Sequence, residues 1–212
     1  MEQHKETDAT ESVNMSETIK RKIYGGVRKI FSVYWSAYGG WKALFSSFYL
    51  HISFVLLIVL YPLWSKDGWW DTVITIMPNM IGFSLAGLSI WLATGDEKLK
   101  STISGTHPAS SGKHSPYIKT NASFVHFILV QVSALLAAII AKAYYIVPFS
   151  IFAKYDYPCL ILIGWGAGFL LFLYAIATAV AVTMSIFRVS TWYDAHQAKL
   201  RAKSVVTKDK DS

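Results

Sequence analysis

Four polar side chains interrupt long apolar runs in this chain: His51, Asn79, His126 and Gln131. Polar groups inside membrane helices are costly, which makes them functional suspects. Histidine changes charge near neutral pH, so His51 and His126 are candidates for proton transfer or gating. Asn79 carries an amide that lipid tails cannot satisfy. It directly follows Pro78, which lacks an N–H and whose ring crowds the carbonyl of Ile74, so a kink is expected there. A kink beside an amide is one way to build a site for an ion or water; it is also a way to shape a bundle. Counting about 1.5 Å per helical residue, His51 lies about 12 Å and Gln131 about 15 Å from the inner ends of their helices, so the two could meet. His126, about 7 Å in, is expected near the inner headgroups, and Asn79 about 10 Å from the outer face.

Other chemistry is sparse. The single Cys159 leaves neither an intramolecular disulfide nor a cysteine-based metal cluster. His107 and His114 share a polar loop, but a metal needs three or four convergent ligands, so no metal is expected. No Gly-rich phosphate loop follows a strand, and neither a serine elbow nor HExxH occurs. Asp96 and Glu97 stand where an apolar helix ends and are expected to be a solvated rim. No catalytic residue and no cofactor follow from these motifs, and an enzyme is not expected.

The elements that must position these residues are membrane helices. In Thr72 to Gly95, Thr75, Asn79, Gly82, Ala86, Ser89 and Ala93 recur at alternating steps of four and three, a small and polar seam opposite Val73, Ile74, Met77, Ile81, Leu85, Leu88 and Leu92. Small residues admit a second backbone, so the seam is expected to face protein or line a path. Asn121 to Val147 carries a matching seam of Gln131, Ala134, Ala138 and Ala141, which makes these two helices expected neighbours through their small faces. Ala43 to Trp64 and Pro158 to Phe187 complete the set, the latter with Gly164 and Gly168 in a GxxxG pair followed by Ala175 and Ala179. The expected fold is therefore an all-α integral membrane protein with four transmembrane helices, about 43–64, 72–94, 121–147 and 158–187.

Composition agrees, with 53% hydrophobic and only 16% charged residues. In such a chain a net charge of +7 speaks for basic cytoplasmic flanks rather than for nucleic acid. Residues 1–13 are polar without an apolar period and are expected to be disordered; they do not have the form of a signal peptide. Residues 14–42 read as a basic amphipathic helix in the headgroup layer, with Ile19, Ile23, Val27, Ile30, Phe31 and Tyr34 on one face. Lys20, Arg21, Lys22, Arg28 and Lys29 lie on the other, facing anionic lipid. Gly25-Gly26 should weaken its middle, and Gly39-Gly40 is an expected hinge. The 96–120 loop is expected to be flexible and cytoplasmic, and 188–212 a cytoplasmic helical tail. Trp64, Trp69 and Trp70 are expected in an outer aromatic belt, and Lys142 near Asp156 or Asp71.

Of the 20 Lys and Arg residues, all but Lys66, Lys142 and Lys154 fall in the amino-terminal segment, the 96–120 loop or the carboxyl-terminal segment. That bias places both termini in the cytoplasm. The expected setting is a plasma membrane of the bacterial inner-membrane kind. The expected function is that of a non-catalytic homo-oligomer whose basic segments bind anionic lipid of the inner leaflet or a cytoplasmic partner protein. The alternative is an oligomeric ion channel or small transporter with a polar path along the second and third helices.

Overall fold

The structure, a computed structural model, describes residues 24–94, 104, 114–146 and 158–210. All regular elements among them are helical: α1 (24–38), α2 (Gly40–Phe45), α3 (Phe48–Val59), α4 (Tyr61–Trp64), α5 (Trp69–Thr94), α6 (Pro116–Ile146) and α7 (Pro158–Lys210). Three of them are long and apolar enough to cross a membrane, over Trp69–Ala93, Pro116–Tyr145 and Leu160–Ala198. The chain is accordingly an all-helical membrane protein.

The expected first crossing, 43–64, is not one helix. It is divided among α2, α3 and α4, and the longest piece, α3, has 12 residues. Two local causes divide it. Ser47 adopts an extended backbone, φ −72° and ψ 120°, which ends α2 and starts α3. Pro62 lies in the first turn of α4, where its missing N–H is harmless, and the junction falls just before it at Leu60.

Other boundaries also move. Residues 116–120, assigned to the loop, form the first turn of α6. Pro116 starts it, and the Ser115 hydroxyl accepts a hydrogen bond from the Ile118 N–H at 3.3 Å. The fourth crossing and the helical tail are one continuous helix of 53 residues. Nothing between Arg188 and Lys210 breaks it, since that stretch has neither Pro nor Gly. Helix α5 runs unbroken through Pro78, and α1 through Gly25 and Gly26.

Helix α6 packs between α5 and α7, and α3 lies against α7. Val73 and Met77 of α5, Val130, Ala134 and Ala138 of α6, and Phe169, Phe172, Leu173 and Ala175 of α7 share one buried cluster. One end of this core, at the start of α5, is aromatic. Trp64, Trp69 and Trp70 are buried, not spread through the headgroups as a belt. Glycines on α7 make room for two of them. A Cβ at Gly168 would stand 2.8 Å from the Trp69 ring, and one at Gly166 would stand 3.2 Å from the Trp64 ring. Trp70 meets Trp165 and Tyr145. Close by, Lys142 Nζ pairs with Asp71 at 2.8 Å, as expected, in an exposed position where such a pair contributes at most about 1 kcal/mol. Asp156 lies outside the described residues.

Candidate functional site

Two places bring the polar residues of this chain into definite geometry. Between α1 and α2, Gly39 takes a left-handed backbone with φ 107°, and a Cβ there would fall 2.8 Å from that of Ala43. Glycine meets both demands, and the end of α1 lies against α6 at His126 and α7 at Tyr174. Tyr34 and Tyr38, one helical turn apart, thereby reach His126. Tyr34 Oη lies 2.9 Å from Nδ1, and Tyr174 Oη lies 3.1 Å from Nε2. The Tyr38 ring stacks on the imidazole, and its hydroxyl is 3.4 Å from that of Tyr174. His126 is 4% exposed with both ring nitrogens engaged. A neutral imidazole has one donor and one acceptor nitrogen, so one tyrosine donates to it and the other accepts.

Burial, aided by Tyr174, pushes the Tyr34 phenol up to about 12. Burial, with the Tyr174 hydrogen bond, raises Tyr38 as well. Both phenols are therefore neutral at physiological pH. The arrangement can hold or relay a proton among three hydroxyls and a ring, and it clamps α1 to the bundle. It offers no carboxylate to orient the imidazole, and no group of three metal-ligating residues occurs among the described residues.

The second place is α5. Its seam residues Thr75, Asn79, Gly82, Ala86, Ser89 and Ala93 are all exposed on this chain, as is Pro78. The expectation that α5 meets α6 through this face is corrected: the helix packs inward with Val73 and Met77 in the core shared with the small α6 residues and with Ser84 held by Gln131. Of the α6 seam residues, Gln131, Ala134 and Ala138 are fully buried and Ala141 is half-buried. Gln131 Nε2 donates to Ser84 Oγ at 2.9 Å, while its Oε1 is buried without a partner.

On the exposed seam, Thr75 donates to the Asp71 carbonyl at 2.8 Å and Ser89 to the Leu85 carbonyl at 2.9 Å. Their hydroxyls are satisfied by their own helix. The structure gives Asn79 no such bond.

His51 is exposed on α3 and does not meet Gln131. Spacing alone could not reveal this, because two residues at one depth can lie on opposite faces. His114 Nε2 lies 3.0 Å from Ser36 Oγ. Arg28 and Lys29 are exposed on α1; Lys20, Arg21, Lys22, Asp96, Glu97 and His107 lie outside the described residues. The contributions of Tyr38 and Tyr174 were not evident in the sequence. The available signal was the four-residue step from Tyr34 to Tyr38, together with a phenol inside the Leu and Phe run of α7.

No known protein family, no curated protein and no solved structure matches this chain.

Proposed function

We propose that this chain is a non-catalytic membrane protein that self-associates through the outward face of α5, with both ends cytoplasmic and a basic α1 lying on anionic lipid. The carrying observation is the exposed Asn79. An amide near the middle of a spanning helix finds no water, and here it has no partner within its own chain among the described residues. A second copy offers the same amide and the same small surface, so reciprocal pairing satisfies both. Shape favours the same answer. Phe83 is 78% exposed beside Gly82 and Ala86, a knob next to a shallow groove. Helix α5 is also the least covered of the three long helices, with 17% of its most apolar stretch buried against 39% for each of the others.

The amphipathic reading of α1 has its own support. Val27, Ile30 and Phe31 are exposed, so only the carboxyl-terminal turns of α1 are held by the bundle, and the rest is free to lie in the interface. In this reading the α2 to α4 segment completes a fourth, broken crossing.

Cysteines placed at Gly82 and Ala86 should cross-link between copies in the membrane, while cysteines at Leu136 and Ile140, exposed on α6, should not. Asn79→Leu should weaken association by about 1–2 kcal/mol, measured as energy transfer between labelled copies in liposomes. A chain that stays monomeric in lipid, or that cross-links equally at all four positions, would defeat the proposal.

A second reading, a conducting oligomer, is favoured by the adjacency of Asn79 to Pro78, which deprives the Ile74 carbonyl of its helical donor. Ion flux through liposomes that disappears with Asn79→Leu would establish it, and a well-folded oligomer without flux would dismiss it.

A further inference from the structure

We propose that the recess between the end of α1 and the start of α6 binds the phosphate of an anionic phospholipid headgroup, with Lys119, His114 and Ser36 as its donors. This rests on the reading that the inner end of the bundle faces the cytoplasmic leaflet.

The recess is an open surface depression with a volume of about 510 Å³, room for a headgroup phosphate. The Gly39 turn and Tyr38 of the His126 cluster are part of its lining. Lys119 stands in the first turns of α6, where the positive end of a helix dipole adds to its charge. Its ammonium has no ion pair among the described residues. Among the described residues no Asp or Glu lines the recess.

His114 and Ser36 complete the donor set. With His114 Nε2–H donating to Ser36 Oγ, the Ser36 hydroxyl hydrogen is free to turn into the recess. With Ser36 donating instead, the Nδ1–H of His114 is free. Either tautomer leaves one donor beside Lys119. Ser123, also in the wall, is already committed as a donor to the Lys119 carbonyl at 3.0 Å.

Depth distinguishes a lipid from a soluble anion. Trp91 stacks obliquely near Tyr117 and donates to Asn121 Oδ1 at 2.8 Å, while Trp35 meets Trp41 edge to face at 5.0 Å. Tryptophans with one polar contact and an apolar body mark the headgroup level of a bilayer. The recess lies among these residues, next to Trp35 in sequence and two residues beyond Tyr117. A phosphate at that level is attached to a lipid, and basic recesses between membrane helices on the cytoplasmic side bind such headgroups.

The test is native mass spectrometry of the full chain released from nanodiscs of phosphatidylcholine containing phosphatidylglycerol. The intact protein should retain phosphatidylglycerol in preference to phosphatidylcholine. Lys119→Gln and Ser36→Ala should each weaken retention, the former about fivefold or more, the equivalent of about 1 kcal/mol for one basic residue at an anionic surface. Lys66→Gln, an exposed basic residue in the turn between α4 and α5 at the opposite end of the bundle, should not.

Unchanged retention in Lys119→Gln, or equal loss in Lys66→Gln, overturns the proposal in favour of diffuse charge. Displacement of the lipid by inorganic phosphate overturns the lipid assignment. Orientation is read separately by labelling a cysteine at position 114 from either side. An outward-facing label with loss of lipid in Lys119→Gln would refute the topology and leave the binding site standing.

Discussion

The Tyr38 ring lies over the His126 imidazole, with centroids 3.8 Å apart and planes 20° from parallel. One residue of α1 is thus pinned to one of α6, immediately before the Gly39 turn that makes the approach sterically feasible. His126→Ala removes the stacking surface and leaves the Tyr34 and Tyr174 hydroxyls without their shared partner. The expected cost is about 1–3 kcal/mol, with faster proteolysis at Gly39-Gly40. His126→Phe, which keeps a ring but no nitrogen, should fall between. Cleavage at the wild-type rate in both variants would show that α1 is held by something else.

The clamp should loosen in alkali. Tyr34 ionises at about 12 when docked, against about 10 for a free phenol. The docked state therefore binds more protons between these values, and its stability is complete below about pH 10 and declines as pH rises towards 12. Phenolate absorbance of Tyr34 should appear late in wild type, and its late component should be missing in Tyr34→Phe. A single transition near pH 10 would count against docking.

The two glycines of the GxxxG pair should respond differently to alanine. A Cβ at Gly168 would enter the Trp69 ring, whereas one at Gly164 meets nothing within 4 Å. Gly168→Ala should cost about 1–3 kcal/mol through overpacking, seen as a lower melting temperature in detergent. Gly164→Ala should leave that temperature unchanged. Equal effects would mean that the pair acts as a motif and not through Trp69.

Gln131 and Ser84 form a buried hydrogen bond whose removal should be asymmetric. Gln131→Leu leaves Ser84 Oγ without that donor, and Ser84→Ala leaves the Gln131 amide stranded at zero exposure. Each single change should cost about 1–3 kcal/mol, and the double change less than their sum. Additive losses in thermal unfolding would show that the two side chains do not depend on each other.

The long helices were legible in the sequence because lipid imposes a crude and strong rule, namely a run of apolar residues of sufficient length. The inward seam of α6 was legible for the same reason that Ala134 and Ala138 are buried, since only small residues allow close packing. For α5 the same pattern misled. Periodicity identifies a distinct face but not whether its neighbour is another helix of the chain or another molecule. The division of 43–64 turned on the backbone at Ser47 and Leu60, which hydropathy does not sense. The His126 cluster depends on residues far apart in the chain meeting only after Gly39 turns, and so had no local signature. The Lys142 and Asp71 pair was readable because both stand at one end of adjacent helices.

Helix α7 is 53 residues long, about 80 Å at ordinary helical rise, whereas the hydrocarbon layer it crosses is only about 30 Å thick. The remainder is an oar with the membrane as its rowlock. A slight change of tilt where Phe169 and Phe172 sit is magnified at the far end, and a load on that end is felt at the aromatic core. Rearrangement within the bilayer therefore has a mechanical route to the aqueous side, through a single unbroken strut.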